Sequence, residues 1–362
     1  METWTLRVIA IHPEALDTKT IQLERTDGEL IYRPGQFLTF LFTIHGHELR
    51  RSYSFSTTPG IDPIAAITVK RIPNGEISRY LLDHLQPGDT LITLPPAGRF
   101  TLEPTPDPAA LPGTQSPKLF FLAAGSGLVP IFSLIKQTLK TEPPAHITLI
   151  TQQHEPASTP FRTQLTALQT TYGPERIEWI DLLSIQNGRI NNWWLERWLE
   201  TTGAITRRTG PINDDTRFYC CGPPAFMRMA QFTLKTLGIP DDHIKQEHFT
   251  VERRPAPLPL VDPKPRQVHL KTKDGDYAFE TAWPNTILDA AEKHGIRLPY
   301  SCRAGRCSTC VARLLQGQIK MSTNEVLTEK DIKEGLTLTC VGYAETDVTI
   351  SYAPSPTPND SH

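Results

Sequence analysis

The amino-acid sequence predicts a multidomain protein that contains an antiparallel β-barrel, a doubly wound α/β domain and a small α+β domain, in that order. Three observations support this prediction. Short, mostly alternating strands fill residues 1–102, strands and helices alternate from Lys118 onward, and four of the six cysteines gather in the last third of the chain.

The bulk properties indicate an ordinary globular protein. The 362 residues suffice for two or three domains, and contents of 38% hydrophobic and 21% charged residues fit that class. The net charge of −2 gives no reason to expect a nucleic acid or a membrane surface as partner, and no apolar run is long enough to span a bilayer. The chain opens on a strand pattern rather than a secretory leader, and the adjacent Cys220 and Cys221 suit no disulfide framework. We therefore expect a cytoplasmic protein.

The first domain is predicted as a barrel of short strands interrupted by one helix at about Ile77–Leu85, between an Asn-Gly and a Pro-Gly turn. The predicted strands are WTLRVIAI, TIQLER, RPGQFLTFLFT, RRSYSFST, AAITVKRI and TLITLP. Residues 103–117 contain too many prolines and too few apolar residues to pack, so we expect a mobile insertion.

The second domain, 118–250, alternates strand and helix, which indicates a parallel sheet. Ligands of such sheets bind beyond the carboxyl ends of the strands, where the loops AAGSG and CCGP fall. A proline-rich linker at 251–266 precedes the third domain, 267–352, and the tail 353–362 is expected to be disordered.

The third domain carries the sequence YSCRAGRCSTC and a later LTC. Cys302, Cys307, Cys310 and Cys340 have the spacing C-x4-C-x2-C followed by a distant fourth cysteine, which is the ligand spacing of a plant-type [2Fe–2S] cluster. Iron bridged by sulfide needs anionic thiolates, and small residues between them let the loop fold closely around it. The alternative is a zinc site, but zinc ribbons usually offer two C-x2-C knuckles and this loop has one.

Two motifs of the barrel suggest a phosphate-bearing ring cofactor. Arg51, Tyr53 and Ser54 stand in RSYSFS on a predicted strand, although this pattern alone is equally compatible with an exposed arginine and a cross-strand tyrosine. The segment Gly75–Ser78 places backbone amides and a hydroxyl at a helix N-terminus, where anions bind readily. An arginine and a helix N-terminus suit a pyrophosphate.

The loop AAGSGLVP lacks the third glycine of a dinucleotide fingerprint, so alone it indicates no more than a tight turn from strand to helix. Its position after an apolar strand, with Pro130 near the first helical turn, favours phosphate binding at the helix N-terminus. Cys221 is by type more often a small buried residue than a reactive thiol, and a small side chain would also suit a site beside a flat nicotinamide.

Several short sequence motifs occur in order along the chain: RPGQF, RSYSFS, NGEIS, LPPAGRF, AAGSGLVPI, CCGPPAFM, QEHF, LPYSCRAGRCSTC and LTC. Together they resemble the ferredoxin–NADP reductase superfamily joined to a C-terminal plant-type ferredoxin, as in oxygenase reductase components, and are most similar to the phenylacetyl-CoA epoxidase reductase type. The resemblance covers residues 1 to about 352. It implies a flavin-binding barrel, a Rossmann-like nucleotide domain and a β-grasp ferredoxin domain.

The resemblance also implies roles for individual residues. It assigns FAD to Arg51, Tyr53, Ser54, Gly75, Glu76, Ile77, Ser78, Glu247 and Phe249. It assigns the nicotinamide nucleotide to Gly125, Ser126, Gly127, Pro130, Cys221, Gly222 and Pro223. Within these sets, the residues expected at the reacting atoms are Tyr53, Ser54, Cys221 and Glu247.

The function implied is electron transfer from NADH or NADPH through FAD to the [2Fe–2S] cluster and on to a protein acceptor, an oxygenase or hydroxylase component. Two alternatives remain: a reductase of a soluble redox carrier or redox-stress protein, and a redox-sensing module, against which the complete set of flavin and nucleotide motifs argues. Relatives often carry an arginine where this chain has TQQHE at 151–155, and the next arginine is Arg162. We therefore favour NADH over NADPH.

Overall fold

The computed structural model describes residues 2–44, 46–102, 118–140, 145–202, 216–249, 255–257, 262 and 264–352. The predicted insertion at 103–117, the tail at 353–362 and most of the linker at 251–266 lie outside the described residues. The chain divides into two compact units, Glu2–Thr250 and Val251–His362. In the part of the chain that is described, no helix is long and apolar enough to cross a membrane.

The first unit begins with an antiparallel six-stranded sheet. Its elements are β1 (Trp4–Ala15), β2 (Thr18–Arg25), β3 (Phe37–Ile44), β4 (His47–Ser54), β5 (Ala65–Lys70), α1 (Glu76–Asp83) and β6 (Thr90–Thr93). The strand order is β4-β3-β6-β1-β2-β5, and a bridge between Phe55 and Ile67 brings the two edges together. The alternation of apolar and polar residues along β1 determines which side of the sheet faces the core. Leu6 and Val8 are buried, whereas Arg7 between them is exposed. The predicted antiparallel barrel is confirmed.

The rest of this unit is an α/β domain. Its elements are β7 (Lys118–Ala124), α2 (Leu128–Lys140), β8 (His146–Gln153), α3 (Arg162–Tyr172), β9 (Ile177–Leu183), α4 (Ser184–Asn187), α5 (Asn192–Thr201), β10 (Thr216–Cys221), α6 (Pro224–Thr236) and β11 (Ile244–Glu247). All pairings are parallel and the strand order is β11-β10-β7-β8-β9. The order reverses between β7 and β10, so this boundary is the switch point where such sheets bind ligands.

The central strand β7 shows why helices cover both faces of this sheet. Phe121 packs into a core shared with α2, whereas its neighbours Phe120 and Leu122 pack into a core shared with α5 and α6. A strand that is apolar on both faces must be buried on both, which is the reason for its uninterrupted run of hydrophobic residues. The predicted doubly wound arrangement is confirmed.

The second unit is a compact α+β domain of the β-grasp type. Its elements are β12 (Arg266–Thr272), β13 (Gly275–Thr281), α7 (Ile287–Lys293), β14 (Val311–Gln316), β15 (Ile319–Met321), α8 (Glu329–Lys333), β16 (Leu336–Leu338), β17 (Gly342–Ala344) and β18 (Val348–Ser351). A mixed sheet in the order β13-β12-β18-β14-β16 packs against α7, and β15 pairs with β17.

The segment TLTCVGY of this unit is divided between β16 and β17. The amide of Val341 donates to the carbonyl of Leu338 over 3.3 Å, which turns the chain between the two strands. Cys340 lies on this turn, so that the break in the strand is what aims its side chain toward the cysteine loop.

Candidate functional site

The end of barrel strand β4 meets the end of β11 near the switch point of the α/β sheet. Ser54, the last residue of β4, donates a hydrogen bond from Oγ to Oε2 of Glu247, the last residue of β11, over 3.1 Å. Both residues are buried, although 193 positions separate them in the sequence. A buried carboxylate needs donors to compensate for lost water, so this contact orients the serine hydroxyl. Two of the predicted catalytic residues are thus brought together.

Cys221 adjoins this contact from the neighbouring strand. The parallel register of β10 and β11 places Cys221 opposite Glu247. Burial raises the pKa of the Cys221 thiol well above its usual value, and the charges of Glu247 and Cys220 act in the same direction. A thiol held neutral is a poor nucleophile. Cys221 therefore offers a small, polarizable surface rather than covalent chemistry.

Two glycine-containing loops touch each other beside this contact. A Cβ on Gly127 would lie 2.1 Å from the carbonyl oxygen of Cys221, and a Cβ on Gly222 would lie 3.0 Å from the Cβ of Ala124. Only glycine therefore lets the turn Gly125–Gly127 rest on the end of β10. Because α2 starts directly after this turn, the positive end of its dipole lies at the same edge of the sheet.

The remaining residues predicted to bind the nucleotide lie on the same loops or at the start of the following helices. Ser126 belongs to the turn, Pro130 is buried in the first turn of α2, and Pro223 immediately precedes α6. Gln153 was not predicted. As the buried last residue of β8, it donates from Nε2 to the carbonyl of Gly125 over 3.0 Å and fixes the turn. Its only sequence signal is a polar residue at the end of an apolar strand.

On the barrel, the predicted flavin residues lie on one strand. Arg51 and Tyr53 are two residues apart on β4 and therefore share a face. The Tyr53 ring lies 5.9 Å from that of the buried Phe40. Burial raises the pKa of the Tyr53 phenol, and the nearby Arg51 charge partly opposes this. Phe249, just beyond β11, leaves 39% of its surface exposed, so its ring is available for stacking.

The predicted anion site at the start of α1 is organised differently from the expectation. Glu76 and Ile77 begin α1 after Gly75, as the sequence predicts. The Ser78 hydroxyl, however, accepts from the amide of Ile72 and donates to the carbonyl of Gly75, each over 3.1 Å. Both of these hydrogen bonds of the Ser78 hydroxyl therefore lie within the turn that precedes α1. The groups that can serve a phosphate here are the backbone amides of the first helical turn.

The four predicted metal-binding cysteines come together in the second unit. Contacts link the thiol of Cys302 to those of Cys307 and Cys340, and the thiol of Cys340 to that of Cys310. A two-iron cluster distributes four thiolates over two metal ions, and the four linked thiols fit such a ligand set.

The backbone of the cysteine loop supplies hydrogen bonds to sulfur. The amides of Ala304 and Arg306 both donate to Sγ of Cys302, and the amide of Cys302 donates to Sγ of Cys307, each over 3.4 Å. Gly305 has φ +72°, and a Cβ there would lie 2.9 Å from the carbonyl oxygen of Thr323. Hydrogen bonds to the ligating sulfurs are one of the main factors that set the reduction potential of such a cluster.

Two arginines of the loop, which sequence reasoning did not single out, anchor it to its own domain. Arg303 forms ion pairs with Asp289 and Glu292 of α7, and its guanidinium lies 3.8 Å from the centre of the Tyr300 ring. Arg306 forms an ion pair with Glu325 over 2.9 Å. These contacts hold a loop in which Arg303 itself has positive φ.

Comparison with known proteins agrees with this architecture. Residues 7–102 match the oxidoreductase FAD-binding domain, residues 121–231 the oxidoreductase NAD-binding domain, and residues 271–345 the 2Fe-2S iron-sulfur cluster binding domain. The solved structure of phthalate dioxygenase reductase superposes with a TM-score of 0.56 at 21% identity, covering 96% of this chain and 98% of that one. An intact type IV self-sufficient cytochrome P450 monooxygenase gives a TM-score of 0.70 at 21% identity over 96% of this chain, which spans 41% of that longer protein.

Curated relatives resemble the chain over nearly its whole length. It is 33% identical to a subunit of the 1,2-phenylacetyl-CoA epoxidase of Escherichia coli, over 96% of this chain and 97% of that protein. It is 32% identical to the ferredoxin reductase component of 3-ketosteroid-9-alpha-monooxygenase of Mycobacterium tuberculosis, over 89% of this chain and 86% of that protein. The chain therefore belongs to the family of NAD(P)H-dependent oxidoreductases that join an FAD-binding barrel, an NAD-binding domain and a [2Fe–2S] ferredoxin domain in one polypeptide.

Proposed function

We propose that this protein is the reductase component of a multicomponent oxygenase or hydroxylase, and that it acts in the cytoplasm. It draws electrons from NADH and delivers them to a separate oxygenase protein. The names of the curated relatives support this role, and the two cysteines outside the cluster set, Cys220 and Cys221, are not joined in a disulfide, which suits a reducing compartment. The observation that carries the proposal is the hydrogen bond of Ser54 to Glu247, with Cys221 opposite Glu247 on the neighbouring strand, in a chain that also carries a cluster loop.

When bound, FAD takes two electrons from a nicotinamide as a hydride and releases them singly, which a one-electron iron–sulfur cluster requires. The protein supplies binding and orientation. Arg51 and the amides at the start of α1 provide positive potential for the pyrophosphate. Tyr53 provides a ring face, and burial raises the pKa of its phenol above a value that already leaves it neutral at physiological pH.

Ser54 and Glu247 orient one polar group where the two cofactors meet. Because the Ser54 hydroxyl donates a hydrogen bond to the Glu247 carboxyl group, the lone pairs of its oxygen are left to accept from an N–H group of a bound ring. Cys221 adds a small neutral side chain beside them. The close approach of Gly127 and Gly222 leaves a flat crevice edge against which the nicotinamide nucleotide can lie.

Anaerobic stopped-flow spectroscopy of the protein loaded with FAD and cluster tests the proposal. We expect NADH to bleach the flavin absorption first and the cluster absorption afterwards, within seconds. Denaturation should release FAD rather than FMN. Cluster bleaching slower than minutes would favour a sensing module instead, and release of FMN alone would remove the pyrophosphate role of Arg51.

The acceptor is tested by capture from the native cell under reducing conditions. Recovery of an oxygenase or hydroxylase subunit that accepts electrons from the reductase supports the proposal. Recovery of a small redox carrier as the one protein reduced would replace it with the carrier-reductase alternative.

We also propose a preference for NADH. Arg162, the nearest arginine after β8, forms an ion pair with Asp181, and its guanidinium lies 5.4 Å from the centre of the Trp179 ring. Asp181 also accepts from the hydroxyl of Thr151 over 2.8 Å. An arginine engaged in this way is poorly placed to give its charge to a 2′-phosphate. Comparison of kcat/KM for the two donors tests this, and a tenfold preference for NADPH, about 1.4 kcal/mol, would contradict it.

A further inference from the structure

Helix α2 connects the nucleotide side of the first unit directly with the barrel. It begins at Leu128, immediately after the turn Gly125–Gly127, and runs for 13 residues. One turn and two turns further along, Ser133 and Lys136 contact loops of the barrel. At 1.5 Å per residue, the eight steps from Leu128 to Lys136 span roughly 12 Å.

Ser133 is the first of these contacts. It is fully buried, its Oγ accepts from the amide of Gly35 over 3.1 Å, and its carbonyl accepts from the hydroxyl of Thr58 over 2.8 Å. Gly35 has φ +82°, and a Cβ there would lie 1.8 Å from the carbonyl oxygen of Phe100. Glycine is therefore required for this barrel turn to pack against the backbone of Phe100.

Lys136 is the second contact. Its Nζ lies 2.5 Å from Oδ2 of Asp62, which also accepts from the amide of Thr58 over 2.6 Å. Only 11% of the lysine side chain is exposed, and its ammonium group lies 4.6 Å from the centre of the Phe132 ring. Burial lowers the pKa of Lys136, an effect that the hydrogen bond and charge of Asp62 oppose. Because a buried ammonium group needs a charged partner, the ion pair with Asp62 holds the Lys136 side chain in one position.

A further pair of contacts lies where β1 turns into β2. Glu14 accepts from the amide of Phe161 over 2.9 Å, and the amide of Leu16 donates to the carbonyl of Ala157 over 2.8 Å. The Phe161 ring stacks on that of Phe132 of α2 at 4.3 Å. The barrel is thus attached to α2 directly and, through Phe161, from the side of α3.

We propose that Lys136, together with Asp62 and Ser133, is a positioning residue for hydride transfer: it fixes the barrel on α2 and thereby sets how the nicotinamide approaches the flavin. This inference rests on the proposed function, since it concerns the nicotinamide-to-flavin step. None of the three residues belongs to the sets assigned to either cofactor. A small displacement of the two reacting centres lowers the rate of hydride transfer far more than it lowers the affinity for the donor, because the transfer needs a near-attack arrangement.

The test is stopped-flow reduction of the flavin in the full-length, cofactor-loaded protein, with the nicotinamide donor that the wild-type protein prefers. Lys136→Met should slow flavin reduction at saturating donor by about tenfold while leaving the donor Kd and the bound FAD unchanged. Lys136→Arg, which can still reach Asp62, should recover most of the rate. Ser133→Ala, which removes the acceptor of the Gly35 amide, should act in the same direction.

Lys235→Met is the matched control, because Lys235 pairs with Asp241 over 2.9 Å in the same domain but on its exposed surface. It should leave the rate unchanged. The wild-type rate tests the proposed function, whereas the ratio of variant to wild type tests the positioning role, so the two can fail separately. An unchanged ratio for Lys136→Met overturns the proposal. A slower rate that merely follows loss of FAD also overturns it, since the pair would then serve stability alone.

Discussion

Replacing Gly127 with alanine adds one carbon where the turn before α2 rests on the end of β10. That carbon would lie 2.1 Å from the carbonyl oxygen of Cys221, 2.3 Å from its carbonyl carbon and 2.7 Å from the amide nitrogen of Gly222. All three are backbone atoms, so no side-chain rotation relieves the clash. Carbon–oxygen contacts begin at about 3.3 Å, so the added carbon, placed 2.1 Å from that oxygen, would force the loops apart by roughly 1.2 Å.

A displacement of that size at the nucleotide edge should lower kcat/KM for the nicotinamide donor by about 100-fold, and the overpacking should cost about 1–3 kcal/mol of stability. Bound FAD should remain, because Arg51, Tyr53 and α1 belong to the barrel. The assay is donor-dependent ferricyanide reduction together with the flavin spectrum and a thermal melt. Gly28→Ala is the control, since a Cβ there meets nothing closer than 3.7 Å. A variant that folds, keeps FAD and retains kcat/KM within twofold would falsify the assigned contact.

Three further predictions concern other parts of the molecule. Ser54→Ala should keep FAD but slow flavin reduction by at least about tenfold, whereas Ser52→Ala on the same strand should not; equal rates would remove Ser54 from the site. Cys307→Ser should lose or cripple the cluster, because a hydroxyl is a poor ligand for iron, while ferricyanide reduction survives and cytochrome c reduction fails. If both activities fall together, the cluster is structural. Burial raises the pKa of Cys220 from 9.0 to about 12, so the stability this thiol contributes is complete below pH 9 and is lost as the pH rises toward 12. Cys220→Ala should therefore flatten the alkaline decline of the melting temperature, and an unchanged decline would contradict a neutral buried thiol.

Features that depend on neighbouring residues could be read from the sequence. Alternation placed the barrel strands, the all-apolar β7 indicated a sheet covered on both faces, and the cysteine spacing indicated the cluster loop. Each follows from local geometry, because strand period, helix starts and ligand spacing within a loop involve residues a few positions apart. The roles assigned to flavin and nucleotide residues came from resemblance and remain predictions, as do the domain boundaries.

The tertiary structure decided what distant segments do together. Only the folded chain brings Ser54 to Glu247, rests Gly127 on Cys221 and joins Lys136 to Asp62. It also directs the Ser78 hydroxyl to the carbonyl of Gly75 and places Cys340 on the turn between β16 and β17. No pattern along the sequence encodes such contacts, because they depend on how two sheets with separate cores pack. The sequence by itself determined which chemical groups the protein carries, and the packing of one core against another determined which of them meet.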